Sequence, residues 1–210
     1  MTTHFTSGVT NVGAGGTLGK IKQPDPTKYH TYFNDFDVYT AGDWTVTTTE
    51  DGSGSATEAI IDGDGGLLAL TNAAGDNDHD FLQLKKESFK YEAGKQLYFK
   101  ARFKTSDADA SDVVMGLQVT DTTPLDVSDG AFFLLTDGST TLQFILEKDG
   151  TQSTLDLPTA MADDTFTTVG FVYDPRDQKF HVFQNNVLAG TVVSTNAPDE
   201  ASLAVSNLRP

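Results

Sequence analysis

Residues 166–193, FTTVGFVYDPRDQKFHVFQNNVLAGTVV, decide the fold. Val169, Phe171 and Tyr173 alternate with smaller or polar neighbours, which is the period of a half-buried strand. Asp174-Pro175-Arg176-Asp177 is a turn, Lys179–Gln184 a second strand, Asn185-Asn186 a tight turn and Val187–Val193 a third strand. Paired asparagines accept the positive φ that a two-residue hairpin needs. The segment therefore reads as two successive antiparallel hairpins.

The same grammar extends upstream. In Leu97–Thr105, Leu97, Phe99, Ala101 and Phe103 point one way, and Tyr98, Lys100, Arg102 and Lys104 the other. Leu142, Phe144 and Leu146 alternate with Gln143, Ile145 and Glu147. Turn signals recur at Asp51-Gly52, Asp64-Gly65-Gly66, Asp129-Gly130, Asp137-Gly138 and Asp149-Gly150. Strands of period two with turns every 8–12 residues or so indicate a sandwich or barrel. About twelve to fourteen strands are expected, too many for an immunoglobulin-type domain and suited to two sheets of a jelly roll. The expected fold is an all-β, antiparallel jelly-roll β-sandwich over residues 29–210, preceded by an extended arm over residues 1–28.

The arm is a different material. It holds five glycines, three lysines and Asp25 as its single acid, whereas the whole 210-residue chain is at −16, which leaves −18 on the remainder. A glycine-rich segment with scattered hydrophobes buries no core of its own, so its order must come from a partner. Phe5, Val9, Val12, Leu18 and Ile21 are its apolar contact candidates. The strong acidity makes nucleic acid and anionic membranes poor partners. The longest apolar runs are too short to span a bilayer, and no charged-then-apolar leader opens the chain. With no cysteine, disulfides and thiolate metal sites are excluded.

Common catalytic patterns are missing. A pair of carboxylates for glycoside hydrolysis needs acids on one strand face. Glu147-Lys148-Asp149 supplies two positions of a Glu-x-Asp-x-Glu cluster, but Gly150 and Thr151 follow and Asp149-Gly150 reads as a turn. Gly52-Ser53-Gly54-Ser55 lacks the strand–turn–helix setting of a nucleophile elbow. No cofactor is expected. Calcium is the alternative, because Asp76, Asp78 and Asp80 alternate in a loop and carboxylate oxygens suit that ion. An EF-hand loop would require glycine where Phe81 stands.

One positively charged feature stands out. Lys85, Lys86, Lys90, Lys95, Lys100, Arg102 and Lys104 are half of the fourteen basic residues, gathered within twenty positions. They read either as cross-strand partners of the abundant acids or as a docking stripe for an acidic partner. For glycan stacking, the aromatic candidates are Trp44 and Tyr39, with Tyr29 and Tyr32 nearby, although alternation with Val46 places Trp44 toward the core.

Two resemblances complete the reading. Val169-Gly170-Phe171-Val172-Tyr173-Asp174 with Phe180-His181-Val182-Phe183-Gln184-Asn185-Asn186, and Gly65-Gly66-Leu67-Leu68-Ala69-Leu70, resemble strands of concanavalin A-like and laminin G-like sandwiches. Phe5–Val12, Thr17-Leu18-Gly19-Lys20, Pro24–His30 and Tyr32–Phe36 resemble the opening of virion structural proteins of tailed bacteriophages. That second resemblance implies a non-enzymatic capsid decoration, or cement, protein, made in the host cytoplasm and bound to the outer surface of the head. It implies the major capsid protein as partner and a homo-oligomer, a trimer before a dimer. Lys85, Lys86, Lys100, Arg102 and Lys104 would then be capsid contacts beside the arm. The alternative is a lectin-like carbohydrate-binding module, and the third reading is a polysaccharide-acting enzyme on the same fold.

Overall fold

The computed structural model describes residues 28–50, 54–63, 65–72, 78–123, 125–199 and 203–209, with main chain only for 205–209. The expected arm, with Phe5, Val9, Val12, Leu18 and Ile21, lies outside the described residues apart from Lys28. Thirteen strands are described: β1 Trp44–Thr49, β2 Thr57–Ile61, β3 Leu67–Thr71, β4 His79–Leu84, β5 Leu97–Phe103, β6 Val113–Gln118, β7 Gly130–Leu135, β8 Gln143–Lys148, β9 Thr151–Asp156, β10 Thr167–Asp174, β11 Lys179–Gln184, β12 Val187–Val193 and β13 Ala204–Arg209. A seven-stranded sheet runs β9-β8-β7-β6-β13-β4-β1, a four-stranded sheet runs β12-β11-β10-β5, and β2-β3 form a separate hairpin. Every pairing is antiparallel. This is the expected jelly-roll sandwich.

Alternation explains how the two layers meet. β5 buries Leu97 and Phe103 and leaves Tyr98, Lys100 and Arg102 exposed, because successive side chains take opposite faces. On β10 and β11, Val169, Phe171, Tyr173, Phe180 and Val182 are at most 1% exposed. They meet Met115, Phe133, Phe144 and Leu146 of the seven-stranded sheet in one core. Phe144 and Phe171 lie 5.3 Å apart between ring centres, Phe133 and Phe144 also 5.3 Å, and Phe171 and Phe180 5.6 Å. The Tyr173 hydroxyl donates to the Ala93 carbonyl at 2.9 Å, so its ring is buried without an orphaned oxygen.

The turns carry their sequence signatures. Asn185 and Asn186 have φ of 51° and 64°, and Asp149 and Gly150 have 49° and 70°. These left-handed pairs join β11 to β12 and β8 to β9 as two-residue hairpins. The β2-β3 hairpin packs Leu68 and Leu70 against Trp44 and Leu82 at the β4-β1 end of the larger sheet. It extends the layer formed by the four-stranded sheet.

Gly116 tests this packing directly. A Cβ there would lie 2.5 Å from the Phe132 Cα and 2.6 Å from the Ala131 carbonyl, whereas at Gly94 it would meet nothing within 4 Å. Gly116→Ala should lower unfolding stability by about 1–3 kcal/mol, as overpacking does. Gly94→Ala should stay within about 0.5 kcal/mol of the parent. Urea denaturation of both variants checks the contrast, and equal midpoints would refute it.

Candidate functional site

The outward face of the four-stranded sheet is organised by register. Tyr98 on β5 stands beside Val172 on β10, which stands beside His181 on β11 and Thr191 on β12. In the next row Lys100 is followed by Gly170. A Cβ on Gly170 would approach the Phe99 carbonyl to 2.8 Å, so the close strand approach requires glycine, which lies buried between Lys100 and Phe183. Tyr98 is 52% exposed. Its exposed ring offers an apolar face with a polar hydroxyl at the tip.

The cations of this face are held in different ways. Lys100 Nζ donates to Asn186 Oδ1 at 2.8 Å. The Arg102 guanidinium lies 3.7 Å from the centre of the Phe166 ring, a cation–π contact. Lys104 pairs with Asp164 at 2.9 Å. At the far corner Arg176 grips Asp174, whose carboxyl is lowered to about 2 by the hydrogen bonds and charge of that arginine. His181 Nε2 lies 3.0 Å from Asp177 Oδ2. Among the described residues, neither Lys100 nor Arg102 has a carboxylate within 4.0 Å. Lys85 and Lys86, by contrast, follow β4 of the other sheet. The seven clustered cations are therefore not one stripe, because the chain crosses between layers from β4 to β5.

The corresponding face of the seven-stranded sheet is filled. Phe81, Val114, Phe132 and Ile145 are at most 2% exposed and pack with Val127 from the loop between β6 and β7. At its edge Glu147 is 5% exposed and accepts a hydrogen bond from Gln152 Nε2 at 3.0 Å. Burial raises the Glu147 pKa, the charges of Asp126 and Asp129 raise it further, and the Gln152 hydrogen bond opposes them. No second acid follows Glu147 on the same face: Lys148 is next and Asp149 occupies the positive-φ turn. The Glu-x-Asp-x-Glu arrangement is thus absent from β8, as its sequence implied.

A third polar cluster lies under the β2-β3 hairpin. Asp80, fully buried on β4, accepts from the Thr48 hydroxyl at 3.2 Å through Oδ1, while Oδ2 has no hydrogen-bond donor among the described residues. The Glu58 carboxyl on β2 acts on it as a like charge. A neighbouring like charge disfavours ionisation of a buried carboxyl. Burial first, then Glu58 and the more distant Glu50, push the Asp80 pKa up to about 6. The half-buried Tyr39 is raised by its own burial and by Glu58 and Asp80. On the neighbouring strand β13, Arg209 stands opposite Asp80 in the register.

The structure relocates several candidates. Trp44 is 5% exposed against Leu70 and Leu82, so its ring faces protein and offers no stacking surface. The Tyr39 hydroxyl is buried. Asp76 lies outside the described residues, Asp78 is buried before β4, and Asp80 engages Glu58 rather than an aspartate cluster. Among the described residues no group of three acids or histidines could hold a metal, and no helix is long and apolar enough to cross a membrane. Tyr98 was legible as an outward position beside Lys100 and Arg102. Glu58 was not, since nothing local to it signals a contact with Asp80.

No family model and no curated protein matches the chain. Solved structures do share its fold. An endo-1,3-β-glucanase from Streptomyces sioyaensis aligns with TM-score 0.57 at 15% identity, over 86% of this chain and 84% of that one. The β-glucanase of Bacillus licheniformis gives 0.53 at 16% identity, over 83% and 82%. The carbohydrate recognition domain of Emp46p, in its potassium-bound form, gives 0.53 at 13% identity, over 84% and 86%. At such identities the likeness shows the fold, a concanavalin A-like jelly roll. It also corrects two expectations. The fold is carried here by glucanases and a carbohydrate recognition domain, which overturns the capsid-decoration reading and, with it, the exclusion of enzymatic activity.

Asp80 yields a pH test. Its folded pKa, about 6, lies above the ordinary 3.8, so folding retains a proton that the unfolded chain releases. The associated stability is fully present below about pH 4 and lost as pH rises through about 6. At about 1.4 kcal/mol per pH unit, the difference amounts to about 3 kcal/mol. Asp80→Asn should gain stability relative to the parent at pH 7.5 and not at pH 4, read by denaturant midpoints. An equal difference at both pH values would refute the raised Asp80 pKa.

Proposed function

We propose that this protein binds carbohydrate through the outward face of its four-stranded sheet. The observation that carries the reading is the half-exposed Tyr98 ring, set in register beside Val172 and His181, with Lys100 and Arg102 following it on the same face of β5. A sugar offers an apolar ring face and a hydroxyl edge, and an exposed aromatic next to positioned donors satisfies both. The sheet holds these groups without rearrangement, which lowers the ordering cost of binding. The fold's occurrence in a carbohydrate recognition domain and in glucanases supports the reading by analogy.

A second reading rests on Glu147. Burial shifts the Glu147 pKa upward, and the charges of Asp126 and Asp129 add to that, which is the direction of shift used by a general acid in glycosidic cleavage. The loop carrying Val127 would have to move aside for a substrate to reach it.

Both readings are separable by experiment. On a polysaccharide panel the parent protein should bind at least one polymer, and Tyr98→Ala should weaken that binding about tenfold, equivalent to about 1.4 kcal/mol. Reducing-end release from the same panel, abolished by Glu147→Gln with binding retained, would establish the second reading. Binding unaffected by Tyr98→Ala would remove the proposed face.

A further inference from the structure

The cations of the proposed face define the class of sugar. We infer that the ligand is a polysaccharide bearing carboxylate groups, a polyuronate, gripped along β5 by Tyr98, Lys100 and Arg102; this rests on the carbohydrate reading above. The argument begins with charge. The chain carries thirty acids against fourteen lysines and arginines, a net −16. Among the described residues, Lys104, Arg176, Lys95 and Lys148 each pair with a carboxylate, so those four charges are already partly answered within the protein. Lys100 and Arg102 instead rest on neutral groups, an amide oxygen and an aromatic ring. Those contacts position the cations and leave their charge unneutralised.

Their geometry suits one kind of anion. Tyr98, Lys100 and Arg102 occupy alternate positions of one strand, so they form a straight outward row with steps of about 7 Å. The Phe166 ring takes one face of the Arg102 guanidinium, leaving the edge N–H groups as the natural donors to a planar carboxylate. Lys100, held by Asn186, adds a point charge beside it. Tyr98 supplies the apolar contact that a bare anion would not use. A sugar chain with one charge on each unit matches two adjacent cations and a stacking ring.

Charge density separates this ligand from denser polyanions. Two unneutralised cations on a body of strong negative charge cannot offset the repulsion of a nucleic acid or a heavily sulfated glycan. A polyuronate has fewer charges per length, and its rings add contacts that do not depend on salt.

The full-length protein should be titrated with polygalacturonate, with its methyl ester, with dextran sulfate and with a single-stranded oligonucleotide, at 50 and 300 mM NaCl. Polygalacturonate should bind, its methyl ester at least tenfold more weakly, and added salt should weaken the first more than the second. Lys100→Ala/Arg102→Ala should lose at least tenfold for polygalacturonate with an unchanged thermal midpoint, while Lys148→Ala on the other sheet should bind as the parent does. If a neutral polysaccharide binds and the double variant binds it equally, the acidic ligand is refuted and the carbohydrate reading stands. If no polysaccharide binds, both fall. Preference for dextran sulfate or the oligonucleotide, or self-association abolished by the double variant, also overturns the polyuronate assignment.

Discussion

The contact of Phe144 with Phe171, 5.3 Å between ring centres, is the point through which the two sheets are held in register. Phe133 and Phe180 join it from either side, so four rings from β7, β8, β10 and β11 form one continuous aromatic layer. Each such pair is worth about 0.5–1.5 kcal/mol beyond the area it buries. The layer also dictates which side chains face outward. Once Phe171 points inward, its neighbours Gly170 and Val172 must point out, and the pairing with β5 puts Lys100 and Tyr98 beside them. The candidate binding face is thus a geometrical consequence of the core.

Much of that logic was readable in the residues. The alternation of Leu97 to Phe103 and of Val169 to Tyr173 identified the buried and exposed faces of both strands, and the Asn185-Asn186 pair marked its hairpin by chemistry that tolerates positive φ. These are local signals. Alternation misled on β8, where Gln143, Ile145 and Glu147 read as a second, less buried face. Ile145 is 2% exposed and Glu147 5%, because Phe81, Val127 and Phe132 pack on that side too. A strand buried on both faces loses the polar alternation that period-two reading depends on.

The clustered cations show a different limit. Nearness in sequence suggested one stripe from Lys85 to Lys104, yet β4 and β5 belong to different sheets, so the chain divides the cluster between layers. Asp80 and Glu58 make the converse point. They stand twenty-two positions apart and meet because the β2-β3 hairpin folds over β4. Neither acid carries a local mark of that meeting. The functional expectation drawn from the arm had the same weakness, since it rested on likeness in a segment whose partner no local pattern identifies.

The three polar clusters differ in what solvent allows them to do. Asp80 is buried beneath a hairpin that carries Glu58, so its raised pKa acts on stability. Glu147 is buried at the edge of a filled face, where a raised pKa has chemical use only if a substrate reaches it. Lys100 and Arg102 are open to water, and a charge already exposed costs little further desolvation when it meets an anion at the rim of a surface. Their neutral supports matter for the same reason. An ion pair would have to be broken before a ligand could use the cation, whereas an amide oxygen and an aromatic face hold the side chain in place and leave its charge to the incoming group. Of the three, the β5 row is therefore the one in which folding has already met the cost of positioning without neutralising the charges.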